Sequence, residues 1–589
     1  MSHDVSFLER ISLLGDYNPC RLGVCGGACY AGFVKSAWRA IALGLVGWSV
    51  LAQSNPLLDI LAEELKRNFE VLRAKGDPPP YFISYEVTEQ QTCSVAATLG
   101  ALQSSGCGHS RVLDVTVRVG SPEFDNYHRI QGERPAFTSA VALPIEAGAE
   151  AIRQRLWWET DRIWRAAAER FIKIRTSSQV RLGREDESPD FSQEEPSVSI
   201  EPVRPLEFSL SQWETRVRRW SAAFKDKPAV LTSGASVTAR REIKYLVTTE
   251  GTRLVHAHGL ARISLNAQTR APDGMDLALS ESFDAETDSG LPDDKVVIAA
   301  AERLAEKLEA LSRAQPAEPF VGPAILSGRA AGVFFHEIFG HRVEGHRQKD
   351  ESEGQTFAKR LGTKVLPEFL TVAFDPTLRR SQGVDLFGYY RFDDEGIPAR
   401  RVEVVRNGIL ETFLMSRSPL SKMDKSNGHG RRAPGFEVVS RQSNLLVESR
   451  NVVSQEKLRE MLREEIRRQK KPYGLYFEEV TGGYTQTRRA GLQAFTVIPV
   501  VVYKVYADGR PDELVRGVDI VGTPLASFEK IAATGDRPEV FNGYCGAESG
   551  NIPVSAVSPA LLVTEIETQR KEKSSERPPL LPRPGVGEL

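Results

Sequence analysis

The chain has 589 residues, with 76 lysines and arginines against 78 aspartates and glutamates and a hydrophobic fraction of 41%. This length predicts two to four domains, and the composition is that of a globular protein rather than a disordered or fibrous one. A net charge near zero without a basic stripe argues against a nucleic-acid partner.

Residues 1–52 have the features of a signal peptide. Lys35 and Arg39 precede the stretch AIALGLVGWSVLA, which is too short to span a bilayer as a helix but suits the apolar region of a leader. Val50 and Ala52 are small residues at the positions that a signal peptidase reads. We expect cleavage after Ala52 and export, for example to a periplasm, without a stable membrane span. The alternative is a cytoplasmic protein whose leader is a buried helix or an over-long gene start.

Three cysteines lie beyond this leader. Cys93 and Cys107 are 14 residues apart and would be able to pair in an oxidising compartment, but the sequence alone does not show that they meet. Cys545 lies late in the chain between Gly543 and Gly546.

We predict an N-terminal α/β domain over residues 53–290. A helix begins at an Asn55 cap, is followed by alternating stretches typical of a sheet, and the domain ends in a strand meander over 230–270. Residues 147–225 form an insertion, with a helix that places Leu156 and Trp157 on one apolar side and then an acidic linker. His256 and His258 lie on one face of a predicted strand, as a satisfied structural or surface pair.

We predict a β-rich domain over residues 291–568. It begins with a helix over 292–315, leads to the stretch PAILSGRAAGVFFHEIFGH, and continues mostly as strands. Residues 569–589 are polar and proline-rich, so we expect a disordered tail. The fold class is therefore α+β, with a β-rich C-terminal domain that carries the histidine-bearing helix.

The stretch FFHEIFGHRVEGHR holds three histidines: His336, His341 and His346. A zinc-protease helix places two histidines four residues apart on one face, whereas a spacing of five rotates the second about 140° from the first. The two rings converge only if the helix bulges or breaks near Gly340. A zinc site then needs a third protein ligand. The candidates are His346, Glu344, a distant carboxylate or a thiolate. By spacing alone, a satisfied histidine on a helix face is the more common structure.

Three further stretches of the sequence, taken together with this motif, resemble a known family. Together with FFHEIFGHRVEGHR, the stretches VTGGYTQTRRAGLQAFTVIPVVVYKVYADGRPDELVRGVDIVG and CGAESGNIPVSAVSPALLV resemble the TldD/PmbA family of metallopeptidases, and VRVGSPEFDNYH resembles its N-terminal region. The similarity covers about residues 56–567. It implies a TldD-like catalytic member in which His336, His341 and Cys545 bind Zn²⁺ and Glu337 is the general base. It also implies dimers, either of this chain or with a family relative.

The expected activity is hydrolysis of unfolded or short peptides bound in extended form against strand edges. Because a thiolate ligand makes zinc a weaker Lewis acid, help for the oxyanion would be useful. His429 and Arg431 are candidates for substrate or oxyanion contacts, although a basic surface loop is the commoner reading of that stretch. Two alternatives stay open: a non-catalytic structural or regulatory subunit with a stabilising metal, and a peptidase with Cys545 as the nucleophile.

Overall fold

The computed structural model describes residues 55–129, 133–146, 148–178, 188–350, 352–353, 356–489, 494–571, 577–579, 581 and 584. The predicted leader lies outside these residues, as does most of the predicted tail. The last strand continues to Arg570, two residues into the stretch predicted as tail. The chain from Gln53 onward forms one compact unit, and the boundary predicted near residue 290 stays a prediction.

Eight α-helices occur in the described residues. They are α1 (Pro56–Lys75), α2 (Ala149–Ser178), α3 (Leu210–Ala222), α4 (Asp294–Arg313), α5 (Gly328–Ile338), α6 (His346–Lys349), α7 (Gln455–Arg468) and α8 (Pro524–Phe528), with short 3₁₀ turns at Asp288–Gly290 and Gly340–Arg342. The Asn55 side chain caps α1 by accepting from Leu58 N at 3.2 Å, as predicted. No described helix is both long enough and apolar enough to cross a membrane.

The first sheet has eight strands. They are β1 (Pro80–Thr98), β2 (Ala101–Ser121), β3 (Phe124–Asp125), β4 (Val141–Ala142), β5 (Val198–Ile200), β6 (Thr232–Thr248), β7 (Arg253–Arg270) and β8 (Asp276–Ala285), in the order β3-β2-β1-β6-β7-β5, with β4 beside β2 and β8 beside β7. Two apolar clusters cover it, one with α1 and α2 and the other with α3 and α4. The meander predicted as several short strands is formed by two long strands, β6 and β7. Their residues pair without a break from Thr232 opposite Gln268 to Val247 opposite Arg253.

The helix over 149–178 corrects one sequence interpretation. Leu156 is fully buried, but Trp157 is 47% exposed and does not share its apolar side. Successive helical residues are 100° apart, so two neighbours do not both point at the centre of one buried face.

Two further sheets follow α4. The nine-stranded sheet contains β9 (Gln315–Pro316), β10 (Val321–Leu326), β19 (Val452–Val453), β20 (Gly474–Thr485), β21 (Phe495–Val505), β22 (Glu513–Arg516), β23 (Val518–Gly522), β24 (Ile531–Gly535) and β27 (Leu561–Arg570). The six-stranded sheet contains β11 (Leu370–Phe374), β14 (Val402–Arg406), β15 (Ile409–Leu410), β18 (Asn444–Ser449), β25 (Glu539–Ala547) and β26 (Gly550–Ser558). The small pairs are β12 (Arg380–Ser381) with β13 (Val384–Asp385) and β16 (Gly430–Arg431) with β17 (Val439–Ser440).

The short helix α5 lies between these two sheets. It contacts β20 and β21 of the nine-stranded sheet and β25 and β26 of the six-stranded one. Gly332 permits the close approach, because a Cβ at this position would lie 3.1 Å from the Ala556 side chain on β26. The helix that carries the histidine motif is thus buried on both sides.

Candidate metal centre

A capping side chain determines where helix α5 begins, and two buried phenylalanines hold the helix in place. Ser327 caps its N-terminus by accepting from Ala330 N at 3.1 Å. Phe334 and Phe335 are fully buried and pack against Phe528, with ring centroids 6.2 and 5.8 Å apart. This packing fixes the helix axis, and with it the direction of the next residue, His336.

The α-helix ends between the two histidines of the motif. Its last residue is Ile338, and the chain then forms a 3₁₀ turn over Gly340–Arg342. The Arg342 side chain donates to the carbonyl oxygens of Glu337 and Ile338 at 3.0 and 3.1 Å, so it satisfies acceptors that the broken helix leaves free. The tighter winding of a 3₁₀ turn changes the angle between His336 and His341 from that of a continuous α-helix.

His336, His341 and Cys545 come together at this break. The Cys545 sulfur lies 3.2 Å from His336 Nε2 and 3.3 Å from His341 Nε2. The three possible ligand atoms all lie within 4.8 Å of one another. Tetrahedral zinc with ordinary bond lengths would separate a sulfur and a nitrogen ligand by about 3.5 Å. The residues present therefore fit a zinc ion with two histidines and one thiolate.

The electrostatics of this cluster favour a thiolate. Burial by itself would raise the pKa of the Cys545 thiol, but the neighbouring His341 and His336 hold that pKa well below its ordinary value. The strand β25 presents Cys545 from a hairpin with β26, in which it pairs with Ile552. The Arg441 guanidinium donates to the Cys545 carbonyl oxygen at 2.7 Å and fixes the backbone there.

Glu337 lies next to the cluster, and its carboxyl group has no hydrogen bond to another described residue. Its side chain is 8% exposed, and burial raises the pKa of its carboxyl above the ordinary value. Gly483 on β20 makes room for it, because a Cβ at Gly483 would lie 2.7 Å from Glu337 Cγ. The motif's own pattern pointed to Glu337, whereas the role of Gly483 follows only from the fold.

A buried carboxylate supports the second histidine. Glu344 is fully buried, and its Oε2 lies 3.4 Å from His341 Nδ1, the ring nitrogen opposite the one facing Cys545. Burial by itself would raise the pKa of the Glu344 carboxyl, but His341 and Arg347 lower it to about 2. The other oxygen of Glu344 lies 3.4 Å from Arg441 Nε. Glu344, one of the candidate third ligands, therefore orients His341 from behind.

The remaining histidine of the motif faces elsewhere. The ring of His346 is hydrogen-bonded to Glu548, which also accepts from Arg347 at 2.9 Å. Glu548 follows Cys545 by three residues, so this interaction joins the cysteine hairpin to the segment that follows His341. His346 thus supports the site without belonging to the cluster of possible ligands.

His429 and Arg431 do not form a basic surface loop. Both are buried, because the segment pairs as β16 with β17 inside the C-terminal half of the chain. His429 shares hydrogen bonds with Asn427 and Ser443, and Arg431 donates to the Gln442 carbonyl oxygen at 2.7 Å. The Gln442 side chain in turn donates to the His336 carbonyl oxygen at 3.3 Å.

Cys93 and Cys107, whose pairing the sequence leaves open, are bonded to each other. The two residues are directly opposite in the β1–β2 hairpin and form a disulfide. This bond lies in the first sheet, which contributes none of the three possible metal ligands.

Known proteins similar to this chain are named for the chemistry that this cluster suggests. The sequence profile of the PmbA/TldA metallopeptidase C-terminal domain matches residues 321–570. A metalloprotease of Methanocaldococcus jannaschii is 29% identical over 245 residues, covering 41% of this chain and 50% of that protein. A zinc metalloprotease TldD homolog of Saccharolobus solfataricus is 24% identical over 251 residues, 42% of this chain and 51% of that protein.

The match to these relatives spans about half of their length. Among solved structures, TldE from Thermococcus kodakarensis aligns with a TM-score of 0.58 at 15% identity, covering 85% of this chain and all of that one. This similarity shows the fold over most of the chain. Residues 321–570 therefore belong to the PmbA/TldA metallopeptidase C-terminal domain family, and most of the chain has the fold of TldE.

Proposed function

We propose that the protein is a zinc-dependent metallopeptidase that hydrolyses unfolded or short peptides. The observation that carries this proposal is the convergence of His336, His341 and Cys545 at a helix break, directly beside the unbonded carboxyl group of Glu337. The metalloprotease names of the relatives support the same reaction class.

The roles of the residues follow from their positions. A zinc ion held by the three ligands would activate a water molecule and polarise the scissile carbonyl group. Glu337 then removes the proton of the attacking water and delivers it to the leaving amine. The raised pKa of the Glu337 carboxyl suits the first of these steps, because a stronger base takes the proton of the water more readily. Glu344 holds His341 in the tautomer that presents Nε2 to the metal.

The strand that carries Cys545 offers a place for an extended peptide. β25 is the outermost strand of its sheet and pairs only with β26 among the described strands. A peptide that adds to the outer edge of β25 would run past Cys545 and bring its carbonyl groups toward the metal site. This geometry supports the expectation of unfolded or short substrates.

A Glu337→Ala variant tests the proposal. The purified wild-type protein should contain about one zinc per chain and cleave an unfolded peptide, as followed by mass spectrometry. Removing the general base should lower the cleavage rate by about 10²- to 10⁴-fold while zinc content stays unchanged. Glu411→Ala, at an exposed glutamate, is the matched control. Equal cleavage by the wild type and Glu337→Ala would contradict the proposal.

The same proteins separate the two alternatives. A cysteine peptidase would remain active in a chelator and be inactivated by alkylation of Cys545, because its nucleophile needs no metal. A structural subunit would lose thermal stability when zinc is removed, while Glu337→Ala would leave all its properties intact. The zinc peptidase loses cleavage in the chelator and regains it when zinc is added back.

We further propose that the chain is exported and acts as a dimer. The Cys93–Cys107 disulfide supports export, since such bonds persist mainly in oxidising compartments. N-terminal sequencing of the protein from fractionated cells tests export: an uncleaved chain in the cytoplasm would refute it. Light scattering of the purified protein, alone and with a family relative, tests the dimer, and a monomer in both samples would refute it.

A further inference from the structure

A large cavity lies at the edge of the first sheet, where β7 has two different neighbours. β5 pairs with β7 up to Val255, and β8 pairs with it from Ala261 onward. The residues between these points line a cavity of about 830 Å³ together with residues 201–207, residues 239–241 of β6, the turn 286–289 after β8 and the segment 389–391. This volume is within the range of ordinary ligand sites in proteins.

The cavity is lined by more arginines than acids. Arg240, Arg379 and Arg391 are already paired, with Glu242, Glu286 and Glu201 respectively. Arg204 and Arg241 also line the cavity, and neither forms an ion pair with a described residue. The Nε atom of Arg241 is buried without a hydrogen-bond partner. An unpaired guanidinium on the wall of a cavity favours an occupant that carries negative charge.

Two histidines add polar groups that the protein does not satisfy. His256 and His258 line the same cavity, and each has one buried ring nitrogen without a partner among the described residues. They are therefore not the satisfied pair that their position on one strand suggested. Burial lowers the pKa of both rings to about 4, so at neutral pH they are uncharged and each can donate one hydrogen bond.

Buried Arg431 lies between a residue of the cavity wall and a residue that contacts the metal centre. On the cavity side, the Arg431 guanidinium lies 4.8 Å from the ring centre of Tyr390, which lines the cavity. On the other side, Arg431 donates to Gln442, whose side chain donates to the His336 backbone. The cavity wall is therefore connected to the metal centre through contacts of Tyr390, Arg431 and Gln442.

We infer that this cavity is a substrate subsite that binds a carboxylate group of the peptide, with Arg241 as its main cation and Arg204 at its mouth. The inference rests on the proposed peptidase function. The carboxylate belongs to an Asp or Glu side chain or to the C-terminus of the peptide, because both offer the same two acceptor oxygens to a guanidinium. Such a subsite would select peptides by an acidic group at a fixed distance from the cleaved bond.

Peptide binding to zinc-loaded, full-length Glu337→Gln protein tests the inference, because this variant allows equilibrium measurements without turnover. One set of glycine- and alanine-based hexapeptides carries Glu or Gln at each position in turn. A second set has a free or an amidated C-terminus. Calorimetry should give about tenfold tighter binding for the carboxylate member in one of the two sets, and that set identifies the source of the carboxylate.

Substitutions in the same background identify the cation. Arg241→Gln should reduce the preference to less than twofold, Arg241→Lys should retain most of it, and Arg204→Gln should weaken it in part. Arg165→Gln, on the exposed face of α2, is the matched control and should leave the preference unchanged. Arg204 lies on an exposed segment, so we expect Arg204→Gln to fold. This variant therefore remains informative if Arg241→Gln does not fold.

Equal affinity for carboxylate and neutral peptides in both sets would overturn the inference, as would a preference that persists in both Arg241→Gln and Arg204→Gln. Failure of the peptidase function gives a different result. In that case wild-type protein would not cleave any peptide, yet a carboxylate preference lost in Arg241→Gln would still support the subsite. Cleavage without a carboxylate preference would leave the peptidase function and refute the subsite.

Discussion

At the scale of single residues, the metal centre depends on side chains that do not themselves face the metal position. Glu344 contacts His341 from behind, and Arg441 contacts both Glu344 and the Cys545 backbone. All four residues are buried, so each interaction occurs where water competes little. These contacts fix the positions of the three possible ligand side chains.

Glu344→Gln should weaken zinc binding by about 10- to 100-fold, because the amide is a poorer hydrogen-bond acceptor for His341 than the carboxylate. Competition with a chromogenic chelator measures the affinity directly, without reference to activity. Glu368→Gln, whose side chain is 74% exposed, is the control. An unchanged zinc affinity in Glu344→Gln would show that Glu344 does not orient His341.

Gly340→Ala should impair the site through packing. A Cβ at Gly340 would lie 1.9 Å from the Gln442 Oε1 atom, and Gln442 is fully buried and bonded to the His336 backbone. Either Gln442 or the helix break must then move, so we expect lower zinc affinity and a lower thermal midpoint. Gly106→Ala serves as control, because nothing lies within 4 Å of a Cβ there. Equal zinc affinity for both variants would contradict this account.

At the scale of elements, the break between α5 and the following 3₁₀ turn determines whether the motif forms a site. The five-residue spacing predicted that a regular helix would separate His336 and His341, and the observed α-helix ends at Ile338. The sequence indicated where a break was needed. The interactions of Arg342 with the last carbonyl groups could not be read from it, because they depend on the path of the chain after Gly340.

The β1–β2 hairpin provides a second test at this scale. The Cys93–Cys107 disulfide closes a short loop, and a cross-link of this length restricts the unfolded chain by about 3 kcal/mol in the chain-entropy account. Reduction should therefore lower the thermal midpoint of the wild type by a few degrees. The midpoint of a Cys93→Ser/Cys107→Ser variant should not respond to reductant. A wild-type midpoint that is insensitive to reduction would contradict the prediction.

At the scale of the whole molecule, the site is assembled from distant parts of the chain. The two histidines come from a helix between two sheets, and the cysteine comes from an edge strand 204 residues later. The adjoining cavity combines strands of the first sheet with the segment 389–391. The folded core therefore has to be complete before the three possible metal ligands come together.

Acid should destabilise the whole fold through histidines buried in the neutral form. The pKa of His256 and His258 is about 4 and that of His429 about 3, mainly because of burial. An unfolded histidine titrates near 6.5, so below this pH the unfolded state binds more protons than the folded state. The contribution to stability is fully present above pH 6.5 and is lost as the pH falls toward 4, by up to about 1.4 kcal/mol per pH unit for each histidine.

Urea unfolding at pH 7, 6 and 5 measures this dependence. A His256→Gln/His258→Gln variant should show a shallower loss of unfolding free energy with falling pH than the wild type, whatever its stability at pH 7. Parallel pH dependences of the two proteins would contradict the assignment of these histidines.

The sequence by itself determined the mixture of helices and β-rich sheets, the family resemblance, the cap of α1 and the identity of the histidine motif. These features depend on local spacing or on blocks of residues that are contiguous in the chain. Only the tertiary structure decided that Cys545 lies beside both histidines, that Glu344 faces His341 from behind and that His429 and Arg431 are buried. The physical reason is that each of these contacts is set by how sheets and helices pack, which residue order alone does not specify.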